Sequence, residues 1–522
     1  MNEHLFDLIE NTNRNVFLTG RAGTGKTTFL NDFVKKSRKN HIIVAPTGIA
    51  AINAGGVTIH SMFGLPLRPF VPTVDRIDAN IANNISDLLP HFRYRKDKLK
   101  LLREVEIIII DEVSMLRADV LDMMDFALRT ARRNQQKFGG VQLLFVGDLF
   151  QLPPVIREDN EYILQRYYSS PFFFNAKALE GMDLLTIELT EVFRQKDKEF
   201  LDLLNAIRDG NSKLVDFNKL NERYFPDFEP NGEAFVHLCS HNKMADSINQ
   251  KKINELKTPS FFYNASVFGD FKENMFPNDE TLELKVGAQV MFIRNDTSGD
   301  RKYYNGKLAE ISRLTEDKVF AILDGSDEEL EIKKEVWEQK KYTIGEDKQI
   351  KEEVIGSFEQ LPIRLAWAVT IHKSQGLTFD RLIIDAGQSF TSGQVYVALS
   401  RCRTLEGIYL KSKITPSIIF KDDRISHFQE DTKANDKIEQ IIEAEKYHYS
   451  IKKVLKYTDC GWFLQSLEDW YDIAKSSKKL SEEKTQSLYI SLKTNIKELI
   501  IVCEKFEKIL LQKATKFTHG QE

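Results

Sequence analysis

The chain has 522 residues, a mass of 60.3 kDa and a formal charge of −4 from 73 basic and 77 acidic residues. Apolar residues make up 42% of it and charged residues 29%, which excludes a largely disordered or collagen-like protein and predicts several globular domains. No apolar run is long enough to span a bilayer, and no basic segment followed by an apolar one opens the chain, so neither a membrane protein nor a signal peptide is expected. Four widely spaced cysteines argue against zinc or iron–sulfur sites and for reduced thiols in the cytoplasm.

The first motif is a glycine-rich loop between a predicted strand and a predicted helix. Asn15–Thr19 forms a short apolar run, residues 20–27 (GRAGTGKT) match G-x-x-x-x-G-K-[ST], and apolar residues at helical spacing follow. The glycines allow backbone N–H groups to approach phosphate oxygens, and the helix N-terminus favours negative charge. Lys26 is expected to bind the outer phosphates of a nucleotide, and Thr27 to ligate Mg²⁺.

Two further predicted strands end in polar residues suited to the same chemistry. Ile107–Ile110 predicts a strand buried on both faces, and Asp111 and Glu112 follow it directly. Because the carboxyl ends of parallel strands face the ligand crevice, Asp111 is expected to hold Mg²⁺ and Glu112 to activate water. Gln151, after the strand Gln142–Val146, is expected to contact the γ-phosphate and the attacking water.

These motifs resemble those of superfamily 1 helicases, and in particular the Pif (petite integration frequency) family. The similar segments are Gly20–Thr28, Ala45–Phe63, Ile107–Met115, Leu144–Val155, Leu189–Gln195, Leu361–Asp385 and Gln394–Arg401. The resemblance implies an α/β protein of two RecA-like P-loop domains, and a 5′-to-3′ ATP-dependent DNA helicase that acts in replication, repair or telomere and genome maintenance. A RecD-like motor subunit and a DNA-regulated P-loop switch remain the alternatives.

The resemblance also implies a domain plan. Residues 1–63 and 104–190 would form RecA-like domain 1A, and residues 191–304 and 361–423 domain 2A. Residues 64–103 would form a wedge subdomain, 1B, and residues 305–360 an SH3-like β subdomain, 2B. Residues 424–522 show helical periodicity and predict a helical extension with a packing or docking role.

Site residues follow from the resemblance, position by position. Arg194 and Arg401 of the second domain would reach the γ-phosphate, because guanidinium groups stabilise transition-state charge. The remaining nucleotide-binding set is Gly20, Gly23, Thr24, Gly25, Lys26, Thr27, Thr28 and Gly376. Thr47, Thr58 and His60 would line DNA in the first domain, and Thr370, His372 and Lys373 in the second.

The C-terminal end of the expected subdomain 1B combines cations with aromatic rings. Phe92, Tyr94 and Arg95 lie in a stretch that contains six basic residues from Arg93 to Arg103 and one acidic residue. Stacking rings and cations favour single-stranded DNA, although a solvated basic helix face explains the pattern equally well.

One departure from the family pattern concerns the adenine base. No Gln precedes residue 135, so the expected adenine-reading Gln is absent, and Asn2 or a backbone group would have to replace it.

The expected cofactors are ATP and Mg²⁺. The expected partners are single-stranded DNA and single-strand/duplex junctions, with G-quadruplexes or RNA–DNA hybrids as further substrates. The expected state is a cytoplasmic, nucleoid-associated monomer.

Overall fold

The computed structural model describes residues 3–78, 80–156, 158–192, 197–230, 234–296, 302–385, 393–420, 422–432, 438–458, 461–477 and 480–518. It divides into two compact units: Val16–Lys433 and, separately, Met1–Asn15 together with Ala434–Glu522. No helix of the described residues is long and apolar enough to cross a membrane.

The strands form a six-stranded sheet with a parallel centre, a four-stranded parallel sheet and three antiparallel sheets of two, three and five strands. They are β1 Asn15–Gly20, β2 His41–Ala45, β3 Val57–Thr58, β4 Ile107–Ile110, β5 Gln142–Val146, β6 Leu184–Leu189, β7 Val236–Cys239, β8 Phe261–Asn264, β9 Ser266–Gly269, β10 Thr281–Leu284, β11 Gln289–Phe292, β12 Leu308–Leu314, β13 Val319–Leu323, β14 Glu329–Ile332, β15 Glu335–Ile344, β16 Ile350–Gln360, β17 Ile363–Leu365, β18 Ala368–Thr370, β19 Leu382–Ile384 and β20 Ile408–Leu410.

The helices alternate with these strands and then follow them without interruption at the C-terminus. They are α1 Glu3–Asn11, α2 Lys26–Lys36, α3 Gly48–Asn53, α4 Ile59–Phe63, α5 Ile85–Leu88, α6 Lys96–Glu104, α7 Ala118–Arg132, α8 Glu158–Leu164, α9 Lys198–Arg208, α10 Phe217–Asn221, α11 Asn242–Glu255, α12 Gln394–Leu399, α13 Asp423–Thr432, α14 Ile438–Thr458, α15 Gly461–Lys475 and α16 Glu482–Thr518.

The first domain is a six-stranded sheet in the order β3-β2-β4-β5-β1-β6. Its central strands β2, β4, β5 and β1 pair in parallel, with Ile107 opposite Gln142 and Val16 opposite Leu144. All four isoleucines of β4 are fully buried, which explains their continuous β-branched run, because helices cover both faces of a parallel sheet.

The second domain is a four-stranded parallel sheet in the order β18-β7-β19-β20. Its core contains Leu238, Leu382 and Leu410 from the sheet, Leu204 from α9 and Val397 from α12. Two buried residues of the first domain, Ala22 and Leu152, belong to the same cluster. The expected α/β fold of two RecA-like domains is confirmed.

Subdomain 2B is larger than the expected residues 305–360. Its five-stranded sheet has the order β14-β13-β12-β11-β17, so β11 and β17 lie outside the expected bounds but complete the sheet. The core of this sheet also includes Tyr263 and Leu284. The long hairpin β15–β16 pairs with β9, and the Tyr342 hydroxyl accepts a hydrogen bond from Ile43 N–H in the first domain at 3.0 Å.

Two expected boundaries of the helical extension are also corrected. Helix α13 belongs to the first unit, where Ile425 is buried in the core and Phe428 stacks on Phe174 with ring centroids 4.5 Å apart. Helix α1 was expected in domain 1A but packs against α14 in the other unit, and Arg14 forms an ion pair with Glu445 there. The extension therefore pairs the N-terminal helix with residues that follow α13.

Candidate functional site

The phosphate loop, Gly20–Thr27, connects the C-terminal end of β1 to α2. Gly23 and Gly25 have φ values of +81° and +82°, which disfavour residues with a Cβ. At Gly20 an added Cβ would lie 2.6 Å from Thr24 Oγ1 and 2.7 Å from the Leu189 carbonyl oxygen. The loop therefore requires glycine for its turn and for its close packing against β6.

Lys26 and the threonines of this loop have different environments. Lys26 Nζ donates to the carbonyl oxygens of Gly20 (2.6 Å) and Arg21 (3.0 Å). Thr24 is buried and donates to the Arg21 carbonyl at 2.9 Å, so its side chain shapes the loop. Thr27 and Thr28 are exposed in the first turn of α2, where their hydroxyls are free to meet a ligand.

Burial lowers the pKa of Lys26, and the nearby carboxylates of Asp148 and Glu112 oppose this shift. The side chain thus lies among acidic groups, of which Glu112 was predicted from the sequence and Asp148 was not. A cation held by backbone carbonyls and surrounded by carboxylates is able to exchange these partners for phosphate oxygens.

Asp111 and Glu112 follow β4 at this edge. Glu112 has a φ of +50°, a rare conformation for a residue with a side chain, and its N–H donates to Asp111 Oδ1 at 2.9 Å. Burial raises the pKa of Glu112 to about 7; the charge of Asp111 adds to the shift, while Lys26 and Arg401 oppose it. Burial also raises the pKa of Asp111.

The loop after β5 carries Gln151 and a buried carboxylate, Asp148. Asp148 is 1% exposed; its Oδ1 accepts from Phe150 N–H at 3.3 Å, and its Oδ2 accepts from Gln151 Nε2 at 3.4 Å. Arg208 of α9, in the second domain, donates from Nη2 to Asp148 Oδ1 at 3.1 Å. Its guanidinium also lies over the Phe150 ring, 4.3 Å from the centroid. Asp148 therefore links the predicted γ-phosphate sensor to the second domain.

Helix α12 brings a second contact from that domain. The Tyr396 hydroxyl accepts from the Ala22 N–H of the phosphate loop at 3.0 Å, and burial raises the pKa of Tyr396 to about 12. Gly393, with a φ of +83°, packs so closely on the 147–152 loop that an added Cβ would lie 2.4 Å from the Gln151 carbonyl oxygen.

Arg401 is buried in its own domain. Its Nε donates to the Val397 carbonyl at 3.0 Å and its Nη2 to Ser400 Oγ at 2.9 Å. Its charge nevertheless acts on Glu112, so it lies within electrostatic range of the site. Arg194 lies outside the described residues. Gly376 is exposed, has a φ of +79° and has open space around the position of a Cβ.

The predicted DNA-contacting threonines have structural roles. Thr47 caps α3 by accepting from Ala50 N–H, and Thr58 caps α4 by accepting from Ser61 N–H, both at 3.3 Å. A hydroxyl that accepts in a cap can still donate its proton to a phosphate. Thr370 differs, because it is 3% exposed and accepts from Lys373 N–H; in this conformation its side chain is not available for the predicted contact with DNA.

The histidines and Lys373 remain accessible. His60 and His372 are partly buried, and Lys373 is exposed. Burial lowers the pKa of both histidines, with Arg117 adding to the shift of His60 and His241 to that of His372. Both shifts favour the neutral ring, which would bind DNA as a hydrogen-bonding group, whereas Lys373 would contribute a positive charge.

The position of Phe92 does not support its predicted role in stacking on DNA bases. The ring is 4% exposed and lies in the first domain's core, 5.7 Å from the Phe126 ring and 6.0 Å from the Tyr94 ring. The Tyr94 hydroxyl donates to the Phe63 carbonyl at 2.6 Å, so this ring also braces the insertion. Arg95, which precedes α6, is exposed and is the part of the prediction that stays available to DNA.

Comparisons with known proteins show to which family the chain belongs. The sequence model of the PIF1-like helicases matches residues 2–217. The ATP-dependent DNA helicase Pif1 of Campylobacter jejuni is 32% identical over 436 residues, which cover 78% of this chain and 91% of that protein. The chain belongs to the PIF1-like helicase family. It is thus an ATP-dependent DNA helicase, and the recognition made from its motifs is confirmed.

Solved helicases of this family have the same fold. The crystal structure of Bacteroides Pif1 with ADP-AlF4 is 39% identical, with a TM-score of 0.74, and the match covers 83% of this chain and 96% of that one. Bacteroides Pif1 bound to single-stranded DNA is 40% identical, with a TM-score of 0.56, and the match covers 82% and 95%.

Sequence reasoning did not identify three side chains of this helicase that join the two domains: Asp148, Arg208 and Tyr396. One signal for Arg208 was present. It follows Phe200 and Leu204 at intervals of four along α9, both of which are buried, so an arginine occupies a position that faces the core. A charge at such a position indicates a buried partner.

Proposed function

We propose that this helicase moves 5′-to-3′ along single-stranded DNA and opens duplexes at single-strand/duplex junctions while hydrolysing Mg²⁺-bound ATP. The observation that carries the proposal is the direct contact of the second domain with two nucleotide loops of the first. Tyr396 accepts from the phosphate loop, and Arg208 pairs with Asp148 beside Gln151. A change in the nucleotide would therefore alter the packing of the two domains.

Lys26 and the N–H groups of the phosphate loop would bind the phosphates of ATP. Among the described residues no cluster of three or more His, Cys, Asp or Glu side chains suits a metal by itself. Thr27 and Asp111 nevertheless fit Mg²⁺, because this ion takes few protein oxygens and completes its shell with phosphate and water. When bound, Mg²⁺ would neutralise charge on the β- and γ-phosphates.

Glu112 would accept a proton from the attacking water. Burial raises its pKa to about 7, which makes this carboxylate a stronger base toward that proton. Gln151 would orient the same water from the neighbouring loop, at a position set by its hydrogen bond to Asp148.

Arg401 would act when the domains close on ATP. Its guanidinium exchanges the Val397 carbonyl and Ser400 hydroxyl for γ-phosphate oxygens, which are stronger partners for a cation. Arg194 would supply the second guanidinium. Because both arginines come from the second domain, hydrolysis would require closure, and release of phosphate would allow opening.

The strand would run across both domains. Bacteroides Pif1 binds single-stranded DNA, and the motifs of this chain would offer Thr47, Thr58 and His60 from one domain and His372 and Lys373 from the other. If each domain binds the strand and the distance between the domains changes with the bound nucleotide, the protein would move along the strand in steps. G-quadruplexes and RNA–DNA hybrids are further proposed substrates, and the bacterial nucleoid the proposed site of action.

The first experiment compares a duplex with a 5′ single-stranded tail and one with a 3′ tail, in the presence of ATP and Mg²⁺. Unwinding of the 5′-tailed duplex alone, lost in Lys26→Ala, is expected. Unwinding of the 3′-tailed duplex alone would overturn the polarity. ATP hydrolysis without unwinding of either would favour the switch or the RecD-like subunit.

A further inference from the structure

Helix α16 of the helical unit has two apolar faces, of which one is covered within the unit. On the covered face, the Tyr489 ring stacks on Tyr471 of α15 with centroids 4.0 Å apart. Lys493 Nζ lies 2.7 Å from the Tyr489 hydroxyl and 3.6 Å from Glu468 of α15. This face anchors α16 to α15, so the packing of the unit does not account for the second apolar face of α16.

The second face forms an exposed apolar stripe, which we call the outer stripe. Its apolar members are between 38% and 61% exposed: Leu488, Leu492, Leu499, Val502, Phe506 and Ile509. With Asn495 they follow one another at alternating intervals of four and three residues. Sustained over three heptads, this spacing is that of the contact seam of a two-helix coiled coil.

We propose that the outer stripe pairs with the same stripe of a second copy of this chain, in antiparallel orientation. Centring the pair between Leu499 and Val502 places Leu499 of each copy against Val502 of the other. The same register places Leu492 against Ile509 at both ends of the seam. From Leu492 to Ile509 the paired seam would be about 26 Å long, at about 1.5 Å per residue.

Charge selects this orientation. Glu498 and Lys505 are exposed and both flank the stripe on the same side, at positions one heptad apart. In the antiparallel register, Glu498 of each copy faces Lys505 of the other, so that two opposite-charge pairs form by symmetry. In a parallel pair, Glu498 and Lys505 would instead face Cys503 and Leu510. Only the antiparallel pair uses both charges.

Self-association of this kind would join two helicase chains through a unit separate from the nucleotide loops. It does not depend on the proposed polarity or on the residues assigned to catalysis. It also differs from the monomer expected from the sequence. Another protein as the occupant would leave the purified chain monomeric, so the oligomeric state decides between them.

The test measures the mass of the full-length chain by light scattering and sedimentation under reducing conditions, over about a hundredfold range of concentration. A concentration-dependent dimer is expected. Because each copy contributes its Val502 to the seam, Val502→Glu would bury two charges there and should raise the dissociation constant of the dimer at least about tenfold. Ile501→Glu is the matched control, because Ile501 is 50% exposed on the same helix but lies off the stripe.

Charge reversal tests the register. Glu498→Lys or Lys505→Glu alone replaces two attractive pairs by two repulsive ones and should weaken the dimer about tenfold. The double variant carrying both reversals should restore wild-type affinity. A monomer at every concentration, an equal effect of the Ile501 and Val502 variants, or single reversals without effect would each overturn the proposal.

Discussion

Replacement of Arg208 tests how the two RecA-like domains communicate. Arg208 is 6% exposed and Asp148 1% exposed, and the pair joins α9 of the second domain to the loop that carries Gln151. We expect Arg208→Met to lower DNA-stimulated ATP hydrolysis although Arg208 lies outside the predicted catalytic set. The reason is that the variant leaves Asp148, which is already buried beside Gln151, without its cation.

The structure gives the size of the effect. Removing one member of a buried ion pair costs about 3–5 kcal/mol. Here Phe150 N–H still donates to Asp148, so we expect a loss of about 2–3 kcal/mol, or about 30- to 150-fold in kcat/KM. Asp148→Asn should cost less, about 1–2 kcal/mol, because Arg208 keeps the Glu188 carboxylate at 3.8 Å and the Phe150 ring.

The assay is a double-mutant cycle on steady-state ATP hydrolysis at saturating single-stranded DNA. The double variant should be no worse than Arg208→Met alone, which gives a coupling energy of about 1–2 kcal/mol. The matched control is the exposed pair of Arg313 and Glu329, 2.8 Å apart, where coupling should stay below about 1 kcal/mol. Additive losses at Arg208 and Asp148, or equal coupling in the two cycles, would refute the reasoning.

Four further predictions concern single residues. Because burial raises the pKa of Glu112 to about 7 and the base acts when deprotonated, kcat/KM for ATP should fall about tenfold from pH 8 to pH 6; a flat profile would exclude Glu112 as the base. Gly20→Ala should abolish binding of a fluorescent ATP analogue, because the new Cβ meets the Leu189 carbonyl oxygen at 2.7 Å; near-normal affinity in a folded variant would contradict this. Phe92→Ala should destabilise the first domain by about 3–5 kcal/mol in thermal unfolding but leave DNA affinity unchanged. Arg95→Ala should leave thermal unfolding unchanged but weaken DNA binding, and it should reduce the number of counterions released on binding by about one. If the two variants share one phenotype, these separate roles are wrong.

The nucleotide loops could be predicted because each motif contains its own structural context. Gly20, Gly23 and Gly25 stand between an apolar strand and an amphipathic helix, so local sequence alone specifies where the phosphate loop lies and how it turns. The run Ile107–Ile110 likewise predicts a central parallel strand, and its carboxyl end then locates Asp111.

Contacts between distant segments could not be predicted in this way. Phe92 lies among basic residues in the sequence, but its burial depends on Phe126 of α7. Helix α13 follows the last recognised motif, and only the packing of Phe428 on Phe174 shows that it completes the first domain. In each case the local pattern fits two outcomes, and tertiary packing decides between them.

The contacts of the second domain divide the nucleotide site into parts with separate tasks. Tyr396 touches the phosphate loop, Arg208 and Gly393 touch the 147–152 loop, and the Arg401 charge acts on Glu112. The contacts of Arg208 and Gly393 converge on the backbone and carboxylate that position Gln151. A γ-phosphate that draws Gln151 toward itself must therefore shift groups packed against α9 and α12. This short loop would therefore be one route that couples hydrolysis to domain movement, because buried, close-packed contacts transmit small displacements.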